Sequence, residues 1–294
     1  MELRTESKVY TVGDATITRV TDCLLDTLSG RQVFPDWTRD LVQDETRDMI
    51  PEHLGDDGER LMMSVHSWLV RVGGKTVLVD TGIGNGKQRP FNTLFHQLNT
   101  NYLGRLAHAG VSPGDVDLVL LTHLHVDHVG WNTVMKNDGW VPTFPNARYV
   151  YAQAEEDFYG TPAGASRRMV FEDSVRPLIQ AGQADRIKIE GGRYDEHFTF
   201  HPTPGHSAGH MSIGLSSAGE TALFGGDLMH HPIQLAHPEW NSCFCGDPAL
   251  SRRSRAWALD YVADKHALYF SSHFADTSVV RRAAGRDTVP WSFA

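Results

Sequence analysis

The stretch LTHLHVDHVG, residues 121–130, sets four ionisable side chains, His123, His125, Asp127 and His128, within six consecutive positions. It overlaps DLVLL (117–121), an apolar run with the length and composition of a buried strand. Polar groups at the end of a core strand cost desolvation energy unless they are paired or bound to a metal. A lone histidine there is ordinarily a satisfied packing residue, but four such groups together point to a metal. Mixed imidazole and carboxylate donors suit zinc or another first-row divalent cation. If the segment stays extended, residues 123, 125 and 127 share one side and His128 turns away as the chain leaves the strand. Such a motif serves two neighbouring metal positions better than one, and it needs partners from elsewhere in the chain.

Three other stretches supply them. HPTPGHSAGH (201–210) puts His206 in a Pro-Gly turn just before the apolar run MSIGL. TALFGGDLMH (221–230) puts Asp227 directly beyond a buried run and a double glycine, which allows close backbone approach. ALYFSSHF (267–274) ends a strand at His273. All are strand-end or turn positions, from which side chains of several strands can converge on one rim.

The 294 residues are enough for one large domain or two small ones. With 40% hydrophobic and 21% charged residues, and no apolar run near the roughly 18 residues that span a bilayer, the chain reads as a soluble globular protein without a membrane partner. Its start, MELRTESKVY, is too polar for a signal peptide, so a cytoplasmic location is expected. A net charge of −9 with dispersed basic residues argues against a nucleic-acid partner, and the basic cluster RRSR (252–255) reads as the solvated face of a helix. Three cysteines, Cys23, Cys243 and Cys245, fit a reducing compartment, and CFC lacks the second pair that a zinc finger would need.

Short β-patterns fill the first 80 residues around a loop-rich excursion at 26–62, where Phe34, Trp37 and Met49 suggest a pocket wall and DWTRDLVQDETRDMI could hold a short helix. Apolar spacing predicts helices over 91–106 and around 166–181, and Asp247-Pro248 predicts the capped start of another. The two halves rhyme, each with strands, a helix and a strand ending in His or Asp. That pattern suggests two packed sheets covered by helices.

THLHVDH, TPGHSAGH, GGD and the late SSH, together with VLVDTG at 77–82, occur in the order seen in metallo-β-lactamase-fold hydrolases, and the chain resembles that superfamily over roughly residues 65–275. The resemblance implies one α/β domain over 1–294, a four-layer αββα sandwich with a dinuclear metal site at one edge of the two sheets. Carried over, His123, His125 and His206 would hold one metal, Asp127, His128 and His273 the other, and Asp227 would bridge them. Asp80 and His210, the latter in a "GH" pair with Gly209, would orient ligands. Histidine at 125, where the oxygen-reducing diiron branch typically carries Glu, makes redox chemistry a minor option. Two divalent ions per chain, zinc first and iron, manganese or cobalt as alternatives, would turn water into a hydroxide nucleophile near neutral pH, with Asp127 orienting it.

Within the superfamily the chain looks most like the quorum-quenching lactonases and related organophosphate hydrolases, in HVDHVG and in the N-terminal excursion. The expected reaction is hydrolysis of a lactone or carboxylic ester, a small-molecule substrate; phosphotriester or phosphodiester hydrolysis and a glyoxalase II-like thioesterase are the alternatives. The thioesterase would need a basic tail, and RRAAGRDTVPWSFA offers only Arg281, Arg282 and Arg286. A non-catalytic binding protein would be expected to have lost ligands. There is one departure: where lactonases commonly carry a Tyr three residues after the bridging Asp, this chain has His230, followed by His231. His230 is the candidate donor to substrate. Trp131, Phe34, Trp37, Met229, Ile233 and Phe274 are candidate pocket residues, and His66 lies on a strand expected near the site. A homodimer is common among lactonase relatives.

Overall fold

Alternating apolar residues and short turns build the N-terminal half. A computed structural model of the chain describes residues 8–38, 51–55, 57–275, 277–283 and 291–294. The strands β1 (Val9–Val12), β2 (Ala15–Leu25), β3 (Met63–Val72), β4 (Lys75–Val79) and β5 (Leu118–Leu120) come first. A small hairpin, β6 (Thr133–Lys136) and β7 (Gly139–Pro142), precedes β8 (Arg148–Ala152) and β9 (Ala184–Ile187). The first sheet has the order β1-β2-β3-β4-β5-β8-β9. The second comprises β10 (Gly192–Arg193), β11 (Phe198–Pro202), β12 (Met211–Ser217), β13 (Glu220–Phe224), β14 (Leu268–Phe270), β15 (Val279–Arg282) and β16 (Trp291–Phe293), in that order.

Side chains two apart on a strand share a face, and this period sorts the core into layers. Trp68, Val70, Val77, Val79, Leu118, Leu120 and Val150 of the first sheet meet Phe198, Phe200, Ile213, Leu215, Ala222, Phe224 and Phe270 of the second. The alternate positions Leu69, Leu78, Val119, Tyr149 and Tyr151 face outward, onto α2 (Tyr102–His108) and the later helices α3 (Gln153–Tyr159), α4 (Arg168–Ser174) and α5 (Arg176–Gln180). On the other side Leu223 and Tyr269 pack against Ala258 and Val262 of α7 (Pro248–Lys265). Two short helices, α1 (Gly30–Val33) and α6 (Ile233–Ala236), complete the α-helices among the described residues. The result is helix, sheet, sheet, helix: the αββα sandwich.

Several local expectations change. The helix predicted over 91–106 exists only as α2, because Asn92 turns the chain by accepting from Leu94 N–H at 3.0 Å and Gln97 adopts a φ of 50° while donating to the Lys87 carbonyl. The helical stretch near 166–181 is split into α4 and α5 where Pro177 removes an N–H. The C-terminal segment is not a free basic tail: Arg281 and Arg282 lie in β15, which pairs with β16, and Arg286 lies outside the described residues. So do Met49 and residues 39–50 of the suggested helix. In RRSR, Arg252 and Arg253 are exposed, but Arg255 is fully buried, donating to the Leu228 and Pro238 carbonyls at 2.8 and 2.6 Å. That brace holds the chain just after Asp227.

Candidate metal centre

The edge where the sheets meet is stitched by backbone. Met63 and Phe274 form a bridge, Ser64 N–H donates to the His273 carbonyl at 2.9 Å, and the ring of His66 and the indole of Trp68 both reach the Ser271 carbonyl. His66 therefore supports the segment that carries His273. Onto this edge open the loops after β5, between β11 and β12, after β13 and after β14. The strand leading into the motif ends at Leu120, so the segment 123–127 does not stay extended: the chain coils, His128 N–H donating to the His125 carbonyl. Alternation does not survive that coil, so Asp127 sits beside His128 rather than beside His123.

Three overlapping groups of candidate donors result. His123, His125, His206 and Asp227 form one, with all ligand atoms within 4.8 Å of one another; Asp127, His128 and His273 form a second; and Asp227 and His273 join His230 in a third. Asp227 divides its oxygens between the first two. Its Oδ2 lies 3.1 Å from His206 Nε2 and 3.7 Å from His123 Nε2, and its Oδ1 lies 3.0 Å from both His128 Nε2 and His273 Nε2. His125 turns Nδ1 inward, 2.7 Å from His206 Nε2. Asp227 follows Gly226, whose φ of 56° suits glycine, and a Cβ there would meet His210 Nε2 at 2.5 Å.

Outer partners fix which nitrogen each imidazole presents. His128 Nδ1 donates to Asp80 Oδ2 at 2.8 Å, and His273 Nδ1 donates to the Ser64 carbonyl at 2.9 Å, so both turn Nε2 inward. Thr122 donates its hydroxyl to Asp80 and stands 3.1 Å from His123 Nδ1, so a single carboxylate orients two ligands. Asp80 does this from a left-handed backbone, φ 57°, which costs energy for a non-glycine residue and marks it as held in place. His210 is not inside the cluster. Its Nε2 accepts the Asp227 N–H at 3.0 Å and its Nδ1 meets Thr203 Oγ1, while burial pushes its pKa down to about 4 and keeps that acceptor neutral.

Burial also pushes His123 and His206 well below the usual histidine range, leaving lone pairs free. At His128 and His273 burial works the same way, but the Asp227 carboxylate and its acidic neighbours outweigh it and raise both. Asp227 itself is pushed up by burial yet held well below the carboxylate range by the surrounding imidazoles. An anionic carboxylate ringed by imidazoles is what a cation needs. His123 Nε2, His128 Nε2 and Asp227 Oδ1 are buried without a hydrogen-bond partner, as ligand atoms of a metal would be. The residues present fit two divalent cations. Of the donors, His125 and Asp127 are only half-buried, which puts the opening on their side.

His230 belongs to this centre. Its ring stacks on His273 at 5.3 Å and 5°, its Nε2 lies 3.3 Å from Asp227 Oδ2, and neither ring nitrogen has a hydrogen-bond partner. Its neighbour His231 points elsewhere, donating to the His53 carbonyl and accepting from Ile233 N–H. The six candidate pocket residues are placed in packing. Trp131 stacks on Tyr102 beneath the first sheet and donates to Asp22; Phe34, Trp37 and Ile233 pack with Leu61, Met63 and Trp240; Met229 and Phe274 pack under α7. The structure does not bring their side chains into the donor groups. The aromatic that does meet His230 is Phe244, with ring centroids 5.3 Å apart and 43% of its surface exposed. Nothing in its CFC context signals this. Ser64 and Arg255 also carried no recognisable pattern, since each acts through contacts distant in sequence.

The family profile of the metallo-beta-lactamase superfamily matches residues 62–273. Over 110 residues the chain is 30% identical to the N-acyl homoserine lactonase AttM of Agrobacterium fabrum, the match covering 35% of this chain and 37% of that protein. Over 79 residues it is 37% identical to the N-acyl homoserine lactonase AiiB of the same organism, covering 22% of this chain and 28% of the relative. The matches thus span only 28% to 37% of the length of these curated relatives. Among solved structures it is similar to the hydrolase AbOPH of the beta lactamase superfamily, with a TM-score of 0.78 at 24% identity and coverage of 98% of this chain and 96% of that one. AidC, a dizinc quorum-quenching lactonase solved with an N-acyl homoserine product, gives a TM-score of 0.75 at 23% identity, with coverage of 98% and 96%.

Proposed function

The chain belongs to the metallo-β-lactamase superfamily, and from that premise we propose that it is a dinuclear, metal-dependent hydrolase of a lactone or carboxylic ester. One observation carries the reading: Asp227 offers one oxygen to His123 and His206 and the other to His128 and His273, the arrangement of a bridging carboxylate. His123, His125 and His206 would hold one cation, Asp127, His128 and His273 the second, and Asp227 would contribute to both. Zinc suits this mixed donor set best, with iron, manganese and cobalt as alternatives. When bound, the pair supplies Lewis acidity, acidifying water towards neutral pH and polarising the bond under attack.

The side chains do the rest. Asp127, half-buried at the opening, accepts the proton of the attacking water and returns it to the leaving alkoxide. His230, whose burial keeps it neutral, offers an N–H to the carbonyl oxygen as charge develops there. The similarity of part of the chain to AttM and AiiB supports a lactone as the substrate class.

The test is metal content followed by paired assays. About two equivalents of a divalent metal per chain are expected, with turnover of an N-acyl homoserine lactone exceeding that of an aryl phosphotriester. Turnover of the phosphotriester alone would move the assignment to phosphoester hydrolysis. No bound metal after reconstitution would end the hydrolase reading.

A further inference from the structure

Glu155 is a carboxylate that the centre described above does not use, yet it is only 3% exposed. It sits in the first turn of α3, and both of its oxygens are committed. Oε2 accepts from Leu124 N–H at 3.0 Å, and Oε1 accepts from Gly209 N–H at 2.8 Å. Leu124 lies between His123 and His125, and Gly209 is on the loop that carries His206. The same helix reaches Leu124 a second time, through Tyr159, whose hydroxyl donates to the Leu124 carbonyl at 2.6 Å. Residues 155 and 159 are one helical turn apart and share a face. Leu124 is therefore held at both its N–H and its carbonyl by one helix, and Tyr159 is itself fixed by stacking on Phe171 at 5.6 Å. Gly209 lies so near the start of α3 that a Cβ on it would meet Glu155 N at 2.9 Å and Ala154 Cβ at 3.0 Å.

We propose that Glu155 is a positioning residue for one of the two metal positions: with Tyr159 it clips the His123-His125 loop to the His206 loop, so that α3 sets the geometry of that three-histidine face. Asp80 performs a comparable task, holding His128 directly and reaching His123 through Thr122. The chemical demand on position 155 is strict. Two amide N–H groups converge on it, so both facing atoms must be acceptors, which a carboxylate supplies and a carboxamide does not. In Glu155→Gln one amide N–H meets an NH2 group and one loop loses its tie, with the side-chain shape preserved.

This inference rests on the reading of the cluster as a two-cation centre, and the experiment separates the two. Metal-free protein is titrated with Co2+, followed by visible absorption, and then back-titrated with Zn2+. His206→Ala and His273→Ala provide the spectrum of each position alone. Wild type is expected to take up two equivalents. In Glu155→Gln the component missing from His206→Ala should bind about 10- to 100-fold more weakly, while the component missing from His273→Ala stays within about threefold of wild type. Tyr159→Phe, which removes one hydrogen bond and no packing, should shift the same component by about 3- to 10-fold. This second variant keeps the test open if Glu155→Gln does not fold. Equal weakening of both components, or none in either variant, would overturn the positioning role and reduce Glu155 to a fold contact. Failure of wild type to bind Co2+ at all would overturn the two-cation reading, and this inference with it.

Discussion

At the residue scale the open question is His230, three residues beyond Asp227. Its ring is buried, stacked on His273 and without a hydrogen-bond partner at either nitrogen, so a donor to substrate is available there. His230→Phe keeps the stacking and removes the N–H. We expect kcat on the preferred ester or lactone to fall by about 10²-fold, the loss typical of one oxyanion donor, with two metal equivalents retained. Because His230 also forms a possible donor group with Asp227 and His273, metal analysis of the variant discriminates. A loss of metal would make His230 a ligand, and unchanged kinetics would remove it from the reaction. The histidines and carboxylates of the centre were legible in sequence because each lies in a dense local motif or at a strand end. The pocket aromatics were not: Trp131 adjoins the motif in sequence, but the turn at 130–132 carries its ring away, under the first sheet and onto Tyr102.

At the scale of elements, α7 shows how a legible signal acquires a role that only packing reveals. Asp247 caps it as the sequence predicts, its side chain accepting from Ala249 N–H at 3.0 Å and Leu250 N–H at 2.9 Å. The same turn also docks on the His206 loop, since Gly246 N–H donates to the His206 carbonyl and Asp247 N–H to that of Gly205. Asp247→Ala removes the cap and leaves those backbone bonds. Stability by urea unfolding should fall by about 1 kcal/mol, with kcat changed by less than about twofold; a large loss of kcat would mean that the cap itself holds His206. Where prediction of elements failed, local chemistry competed with periodicity. The apolar spacing over 91–106 is helical, but Asn92, Gln97 and Asn99 offer turn and side-chain alternatives, and the chain takes them up to residue 101.

At the scale of the whole molecule, the centre joins the two sheets. His123, His125, Asp127 and His128 follow a strand of the first, and His206, Asp227 and His273 follow strands of the second. Cations that bind only the folded arrangement stabilise both sheets together. One site saturated a thousandfold above its Kd contributes about 4 kcal/mol. Removing the metal with a chelator should lower Tm on the order of 10 °C, recovered on adding it back; an unchanged Tm in protein shown to have lost its metal would mean that the centre adds nothing to the fold. The sequence by itself determined the strand-end histidines and carboxylates, their order along the chain and the layered α/β architecture, because these depend on short-range pattern: period-two alternation, caps, and imidazoles clustered beside carboxylates. Tertiary structure alone decided how the donors divide into two groups about Asp227, which nitrogen each imidazole presents, and that Asp80, Thr122, Ser64, Glu155 and Arg255 hold them there. Apart from that of Thr122 with its neighbour His123, those contacts join residues tens to hundreds of positions apart, and the partner of a buried hydrogen bond is chosen by the packing of the sheets.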